Sequence, residues 1–322
     1  MRADRLVLVS GPESAAYREA IARAAPGWEI DFAATEEEFQ RLLGLAEVVF
    51  DVQHRRGRPF ASSASLRWLH TASTGVDRYL TPEFVASDVL LTNSRGIHAV
   101  PIAEHVMALM LAHARLLEQS WKDQRERRWG DRRLYERLGE LRGKTLGLLG
   151  VGHIGSELAV RARAFGMRVI GCRRRPLPPP PGVERVYAAD RLAEFLGQCD
   201  FLAVAVPLTA QTRGLLGRAE FAALKPGAYL VNVARGGVVD EDALVESLRA
   251  GRLSGAALDV FAEEPLPCTS VLYATPGVTI TPHVAGLGPS LDAERIGLFA
   301  DNLARYVEGR PLRNVVDKRA GY

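Results

Sequence analysis

The stretch "TLGLLGVGHIGSELAVRARAFGMRVIGC" (145–172) constrains the fold more than any other part of the chain. An apolar run leads into Gly150, Gly152 and Gly155, an alanine-rich helical pattern follows, and a second apolar run closes the unit at 168–172. Strand, turn, helix and strand in that order describe a parallel βαβ unit, since a parallel partner strand requires a crossover. The three glycines have separate uses. Gly150 permits the tight turn, Gly152 lets a pyrophosphate approach the backbone, and Gly155 lets helix pack on strand. The helix N-terminus adds free amides for an anion, so the unit reads as a dinucleotide site.

The same alternation runs through the rest of the chain. "RLVLV", "EVVFDV", "LRWLHT" and "VLLTN" precede residue 100, and "FLAVAVP", "AYLVNVA", "GAALDVF" and "GVTITP" follow the glycine unit, all separated by helix-length segments. This predicts parallel α/β architecture twice over. The length of 322 residues allows two domains, at about 100 to 200 residues each. No repeat of fixed period is present, and "PLPPPPG" (176–182) reads as a stiff loop rim.

Composition excludes several classes. With 41 basic against 38 acidic residues the net charge is +3, too close to balance for a general nucleic-acid binder. The cysteines Cys172, Cys199 and Cys268 are odd in number and lack metal-type spacing, so neither a disulfide framework nor a metal site is expected, and a reducing cytoplasm fits. The first apolar run, Leu6 to Val9, stops at Gly11 and Pro12, short of a signal-peptide core. "HAVPIAEHVMALMLAHARLL" (98–117), interrupted by Pro101, Glu104 and His105, predicts a long helix buried between domains rather than a membrane segment.

Downstream of the glycine unit, polar residues appear at three successive strand ends: Arg235 after Val233, Asp259 with Glu263 and Glu264 after Leu258, and His283 in "TITPHVAG". Open α/β sheets keep their ligands beyond such ends. Each residue alone has an ordinary surface reading; together they mark a candidate site.

These segments carry a resemblance. The glycine turn at 150–155, "VPLTAQTRGLL" (206–216), "LVNVARGGVVDEDAL" (230–244), "ALDVFAEEPLP" (257–267) and "TPHVAG" (281–286) resemble, in order, the motifs of the D-isomer-specific 2-hydroxyacid dehydrogenases. The resemblance implies a Rossmann-type dinucleotide-binding domain (99–286) inserted in a flavodoxin-like substrate domain (1–98 plus 287–322), both with parallel sheets. It implies a catalytic trio of Arg235, Glu264 and His283, with Asp259 near the nicotinamide. Further implied cofactor contacts are His153, Ile154, Pro207, Thr212, Val233 and Ala234 beside the glycines. "HTASTGVDRYL" (70–80) is similar to the family's substrate loop, which places Thr74 and Gly75, with Ser73, on the substrate carboxylate. Where many relatives carry a threonine after the Glu-His pair this chain has Val106, and no phosphate contact is assigned there.

The implied chemistry suits these residue types. Reduction of a 2-keto acid needs a cation for the carboxylate and carbonyl, which the planar fork of Arg235 supplies. It needs a proton for the new alkoxide, which an imidazole at His283 gives near neutrality, and Glu264 would orient that ring. Glyoxylate or hydroxypyruvate is the substrate expected from the shorter relatives. A phosphoglycerate dehydrogenase is the nearest alternative, weakened because the chain stops at Tyr322 without a regulatory domain, and a formate dehydrogenase is weaker still. A dinucleotide-sensing corepressor module is the non-enzymatic alternative. Trp129 lies in a segment that packs on a second subunit in the family, so a homodimer is expected, with Trp129 either shaping the partner's pocket or forming dimer core.

The second strand of the glycine unit ends in Cys172, Arg173, Arg174 and Arg175 rather than in the acid that holds the ribose of NAD. Cys172 cannot repel a 2′-phosphate, and Arg173 and Arg174 can bond to one, so NADP(H) is the expected cofactor with NAD(H) possible. Arg175 reads as a solvated edge.

Overall fold

The structure, a computed structural model, describes residues 5–53, 60–174 and 177–322. It divides into two compact units, Met1–Ile97 with Gly288–Tyr322, and His98–Leu287.

The first unit begins β1 (Leu6–Ser10), α1 (Ala15–Ala24), β2 (Glu29–Ala33), α2 (Glu36–Leu43), β3 (Val48–Asp51), β4 (Trp68–Thr71), α3 (Pro82–Ala86) and β5 (Leu90–Asn93). Its sheet is parallel throughout, in the order β2-β1-β3-β4-β5, the flavodoxin-like order. Strands β1, β3 and β4 are wholly buried because helices cover both faces, which is why they read as unbroken apolar runs. The edge strand β2, "EIDFA", is half exposed, and without an apolar run it carries no signal of its own in the sequence. Helix α2 starts at a capping box, Thr35 Oγ1 accepting from the Glu38 amide while the Glu38 carboxylate accepts from the Thr35 amide.

The second unit contains α4 (Ala99–Ala114), α5 (Leu117–Arg125), β6 (Thr145–Leu149), α6 (His153–Ala164), β7 (Arg168–Arg173), β8 (Arg185–Ala188), α7 (Leu192–Leu196), β9 (Phe201–Val204), α8 (Arg218–Ala223), β10 (Ala228–Asn232), α9 (Glu241–Arg249), β11 (Leu253–Leu258) and β12 (Val278–Ile280). Its seven strands are parallel, in the order β12-β11-β10-β9-β6-β7-β8, so the winding reverses between β6 and β9. This is the doubly wound arrangement expected around the glycine unit. The apolar stretch expected as a long helix forms α4, and a left-handed φ of 52° at Leu116 separates it from the polar helix α5 that follows. Ala103, Val106 and Met110 of α4 pack in one core with Leu158, Ala159 and Ala162 of α6. Among the described residues no single helix is long and apolar enough to cross a membrane.

The chain then returns to the first unit as α10 (Leu291–Val307). Alternation along β1 sends Leu6 and Leu8 to the face covered by α2, and Val7 and Val9 to the face covered by α1 and α10. On that second face Phe299 of α10 is fully buried, stacked 4.3 Å from Phe50 and 5.3 Å from Trp68 between ring centroids. Phe299→Ala is therefore expected to remove about 3–5 kcal/mol from the stability of this unit, read as a lower urea midpoint of its unfolding transition.

Candidate active site

The glycine turn has the geometry its sequence calls for. Gly150 has φ of 102°, and a Cβ there would lie 2.6 Å from the Ala205 carbonyl oxygen. A Cβ on Gly155 would meet the Gly150 oxygen at 2.6 Å, so helix and turn pack as closely as backbone allows. Gly152 differs: a Cβ would meet nothing within 4 Å. The protein's own packing does not demand a glycine here, and the open space suits a ligand approaching the backbone. The first intrahelical bond of α6 runs from the Ser156 amide to the Gly152 carbonyl. The amides of His153, Ile154 and Gly155 therefore precede the helical ladder, as an anion-binding helix start requires.

At the end of the neighbouring strand β7, Cys172 is buried and Arg173 is half-buried. The Arg173 guanidinium donates to the Val151 oxygen inside the glycine turn at 3.5 Å and to the Pro178 oxygen at 3.0 Å. Among the described residues its buried Nε has no partner. Arg174 is exposed, and Arg175 lies outside the described residues. After β9, Thr212 Oγ1 donates to the Pro207 oxygen at 2.6 Å, closing the loop that "VPLTAQTRGLL" forms.

Arg235 follows β10 in extended conformation, before the 3-10 turn Gly236–Val238. A Cβ on Gly236 would fall 1.8 Å from the Phe261 carbonyl carbon, so only glycine lets this loop cross the one after β11. Asn232, 1% exposed, shapes the turn from beneath: its Oδ1 accepts from the Ala234 amide at 3.1 Å and its Nδ2 donates to the Arg235 oxygen at 3.2 Å. Val233 and Ala234 are buried between these bonds.

Glu264 and His283 meet directly, His283 Nδ1 lying 2.7 Å from Glu264 Oε2. Glu264 Oε1 accepts from the Phe261 amide at 3.0 Å. Burial raises the Glu264 carboxyl, but the His283 and Phe261 bonds and the charges of His283 and Arg235 together outweigh it and hold the group below its ordinary range. The Arg235 charge acting on Glu264 ties the trio into one electrostatic cluster. His283 itself has φ of 53°, a left-handed conformation uncommon outside glycine. Asp259 holds it there. Only 2% exposed, Asp259 accepts from Thr281 Oγ1 at 2.6 Å, from the Val284 amide at 3.0 Å and from the Ala285 amide at 3.0 Å. His105 of α4 braces Thr281 through a 3.1 Å contact. Asn232, Thr281 and His105 lie in segments quoted from the sequence, but their roles there could not be assigned, since their partners become visible only once the strands are aligned.

In the first unit, the loop after β4 is tied by its carbonyls and by its first two amides, that of Ala72 donating to the Asp51 oxygen at 3.0 Å. The Ser94 amide donates to the Ser73 oxygen at 3.0 Å, Asn93 Nδ2 to the Thr74 oxygen at 2.8 Å, and the Ser73 amide to Thr71 Oγ1 at 3.2 Å. The amides of Thr74, Gly75 and Val76 have no acceptor among the described residues. Three successive amides are thus left without an acceptor, Val76 adding to the two expected from sequence.

The sequence profile described as "D-isomer specific 2-hydroxyacid dehydrogenase, NAD binding domain" matches residues 107–285. The chain is 35% identical over 254 residues to D-3-phosphoglycerate dehydrogenase of Methanocaldococcus jannaschii, covering 78% of this chain and 48% of that one. It is 37% identical over 238 residues to glyoxylate reductase of Aeropyrum pernix, covering 71% of this chain and 70% of that one. Among solved structures, an NADPH-dependent glyoxylate/hydroxypyruvate reductase from Sinorhizobium meliloti, in complex with NADP and sulfate, superposes with a TM-score of 0.84 at 32% identity, covering 99% of this chain and 100% of that one. The chain belongs to the D-isomer specific 2-hydroxyacid dehydrogenase family, whose members bind a nicotinamide dinucleotide. It spans about half the length of the phosphoglycerate dehydrogenases it matches.

Asp259→Asn leaves at least one of its buried donors unpaired, and is expected to cost about 1–3 kcal/mol, measured as a lower thermal midpoint. Because the folded Glu264 carboxyl is depressed, its pair with His283 stabilises the fold fully above the ordinary carboxyl value of 4.5 and loses that contribution as pH falls through the lowered folded value. Glu264→Gln should accordingly lose stability relative to wild type near neutrality, with the gap closing on acidification in paired melting curves.

Proposed function

We propose that the protein reduces small 2-keto acids of the glyoxylate or hydroxypyruvate kind to D-2-hydroxy acids, with NADPH as the preferred donor. The observation that carries this reading is the His283–Glu264 pair: Nδ1 is bound to the carboxylate at 2.7 Å, while Nε2 has no partner among the described residues and the ring is exposed. An imidazole so oriented is a proton donor aimed outward. When bound, the reduced nicotinamide supplies the hydride to the keto carbon; Gly150, Gly152 and Gly155 with the amides at His153 and Ile154 would hold its pyrophosphate.

The chain's own residues do the rest. The Arg235 guanidinium neutralises the charge that develops on the carbonyl oxygen and orients the carboxylate. His283 gives its Nε2 proton to that oxygen as the alcohol forms, and Glu264 stabilises the ring through Nδ1. Asp259 keeps the left-handed loop, and hence the ring, in place. The amide cradle at Thr74, Gly75 and Val76 is assigned to the substrate carboxylate, which makes the first unit the substrate domain and the second the cofactor domain.

Support for NADPH comes from the missing acid at Cys172 and from Arg173, whose buried Nε has no partner among the described residues and whose head reaches the glycine turn. The Sinorhizobium meliloti reductase, solved with NADP, agrees in cofactor and suggests the substrate class. The three cysteines are free thiols, which suits a cytoplasmic enzyme. A homodimer is the proposed working form, with the 98% exposed ring of Trp129 covered by the second copy.

Reductive turnover with glyoxylate, hydroxypyruvate and longer or phosphorylated 2-keto acids tests the reading, and oxidation of NADPH by none of them would favour a dinucleotide-sensing module. His283→Ala should lower turnover by about 10² to 10⁴, the usual worth of a positioned acid. The ratio of kcat/KM for NADPH over NADH should exceed about tenfold, given about 1.5–3 kcal/mol per charged hydrogen bond, and should collapse in Arg173→Ala or Arg174→Ala. A wild-type preference for NADH would refute the phosphate assignment. Sedimentation at micromolar concentration should show a dimer, and a monomeric mass would remove Trp129 from the interface.

A further inference from the structure

The first unit buries a carboxylate that the proposed chemistry does not use. Asp51, at the end of β3, is fully buried, and both of its oxygens accept short bonds: Oδ1 from Ser10 Oγ at 2.6 Å and Oδ2 from the Tyr79 hydroxyl at 2.6 Å. A carboxylate is costly to bury unless it is fully bonded, so an acid at this depth calls for a reason. The directions of the bonds supply one. Ser10 Oγ already accepts from the Val52 and Gln53 amides, so its proton goes to Asp51. Tyr79 donates to Asp51, leaving its oxygen, 2.9 Å from Thr71 Oγ1, to accept the Thr71 proton. Thr71 Oγ1 in turn accepts from the Ser73 amide at 3.2 Å. The result is a one-way chain of donors, Ser73 to Thr71 to Tyr79 to Asp51, each bond polarising the next.

We infer that Tyr79 and Asp51 are positioning residues for the amide cradle. By drawing the Ser73 amide inward, the chain leaves the next three amides, at Thr74, Gly75 and Val76, as the ones turned to an anion. This rests on the assignment of the substrate carboxylate to that cradle. Neither residue touches substrate; they act through Thr71 and the loop.

The test is Tyr79→Phe, with Thr71→Val and Thr71→Ser as a second pair. The KM for the best 2-keto acid of the wild type should rise about tenfold, the value of one hydrogen bond, in Tyr79→Phe and Thr71→Val. kcat and the KM for NADPH should stay within about twofold, a margin well below one bond, and Thr71→Ser should restore the wild-type KM. Folded Tyr79→Phe and Thr71→Val enzymes with unchanged KM would overturn the inference, as would a loss of kcat and melting temperature at constant KM. If Tyr79→Phe does not fold, the Thr71 pair decides. Amide hydrogen exchange separates this inference from the functional reading: faster exchange of the Ser73 amide in Tyr79→Phe upholds the positioning even if the wild type reduces no 2-keto acid, and unchanged exchange there defeats it.

Discussion

Parallel pairing governs both units. A strand that runs parallel to its neighbour must be reached by a crossover, and this brings every strand's C-terminal end to the same edge of its sheet. Register then fixes the level at which each chain segment leaves. In the second unit Asn232 aligns with Leu258, and Leu258 with Ile280, so the loops that begin at Val233, Asp259 and Thr281 start side by side. Arg235, Glu264 and His283 are brought together by this alignment, although 48 positions separate the first from the last in sequence. In the first unit Asp51 and Thr71 are register partners for the same reason.

Alignment alone does not aim side chains, and a buried layer of polar groups does that work. Asn232 shapes the turn under Arg235, and Asp259 gathers the loop that carries His283. A non-glycine residue in a left-handed conformation persists only where its surroundings over-determine it. Three bonds to one buried carboxylate are such surroundings. The close crossing at Gly236 has the same character: the backbone is brought nearer than any side chain permits.

The parts of this arrangement that were legible in the sequence are those that announce themselves locally. The glycine spacing, the unbroken apolar runs of β1, β3, β4, β6 and β9, and the polar residues at strand ends all depend on neighbours within a few positions. Edge strands such as β2 and β8 were not legible, because each is partly exposed and mixes charged with apolar residues. The start of α5 beyond Leu116 was not legible, because that turn has no glycine or proline to mark it. Asn232, Thr281, Asp51 and Tyr79 were invisible for another reason. Their importance lies in partners on other strands, and a lone Asn, Thr, Asp or Tyr has no periodicity to betray burial. Val76 was not picked out because every residue but proline has a backbone amide, and one left without an acceptor shows only in the folded loop.

The interruption of the first unit by the second has a consequence for synthesis. The second unit is continuous in the chain and can complete its core as soon as residue 287 has left the ribosome. The first unit cannot. Its sheet is translated early, yet the face formed by Val7, Val9, Phe50 and Trp68 lacks Phe299 and Leu303 until residues 288–322 emerge. For the time needed to translate some two hundred intervening residues, an aromatic sheet face stands half covered, and a prematurely terminated chain would keep it so. Helix α10 is thus the closing piece of the first unit's sheet, delivered only after the whole of the second unit has been translated.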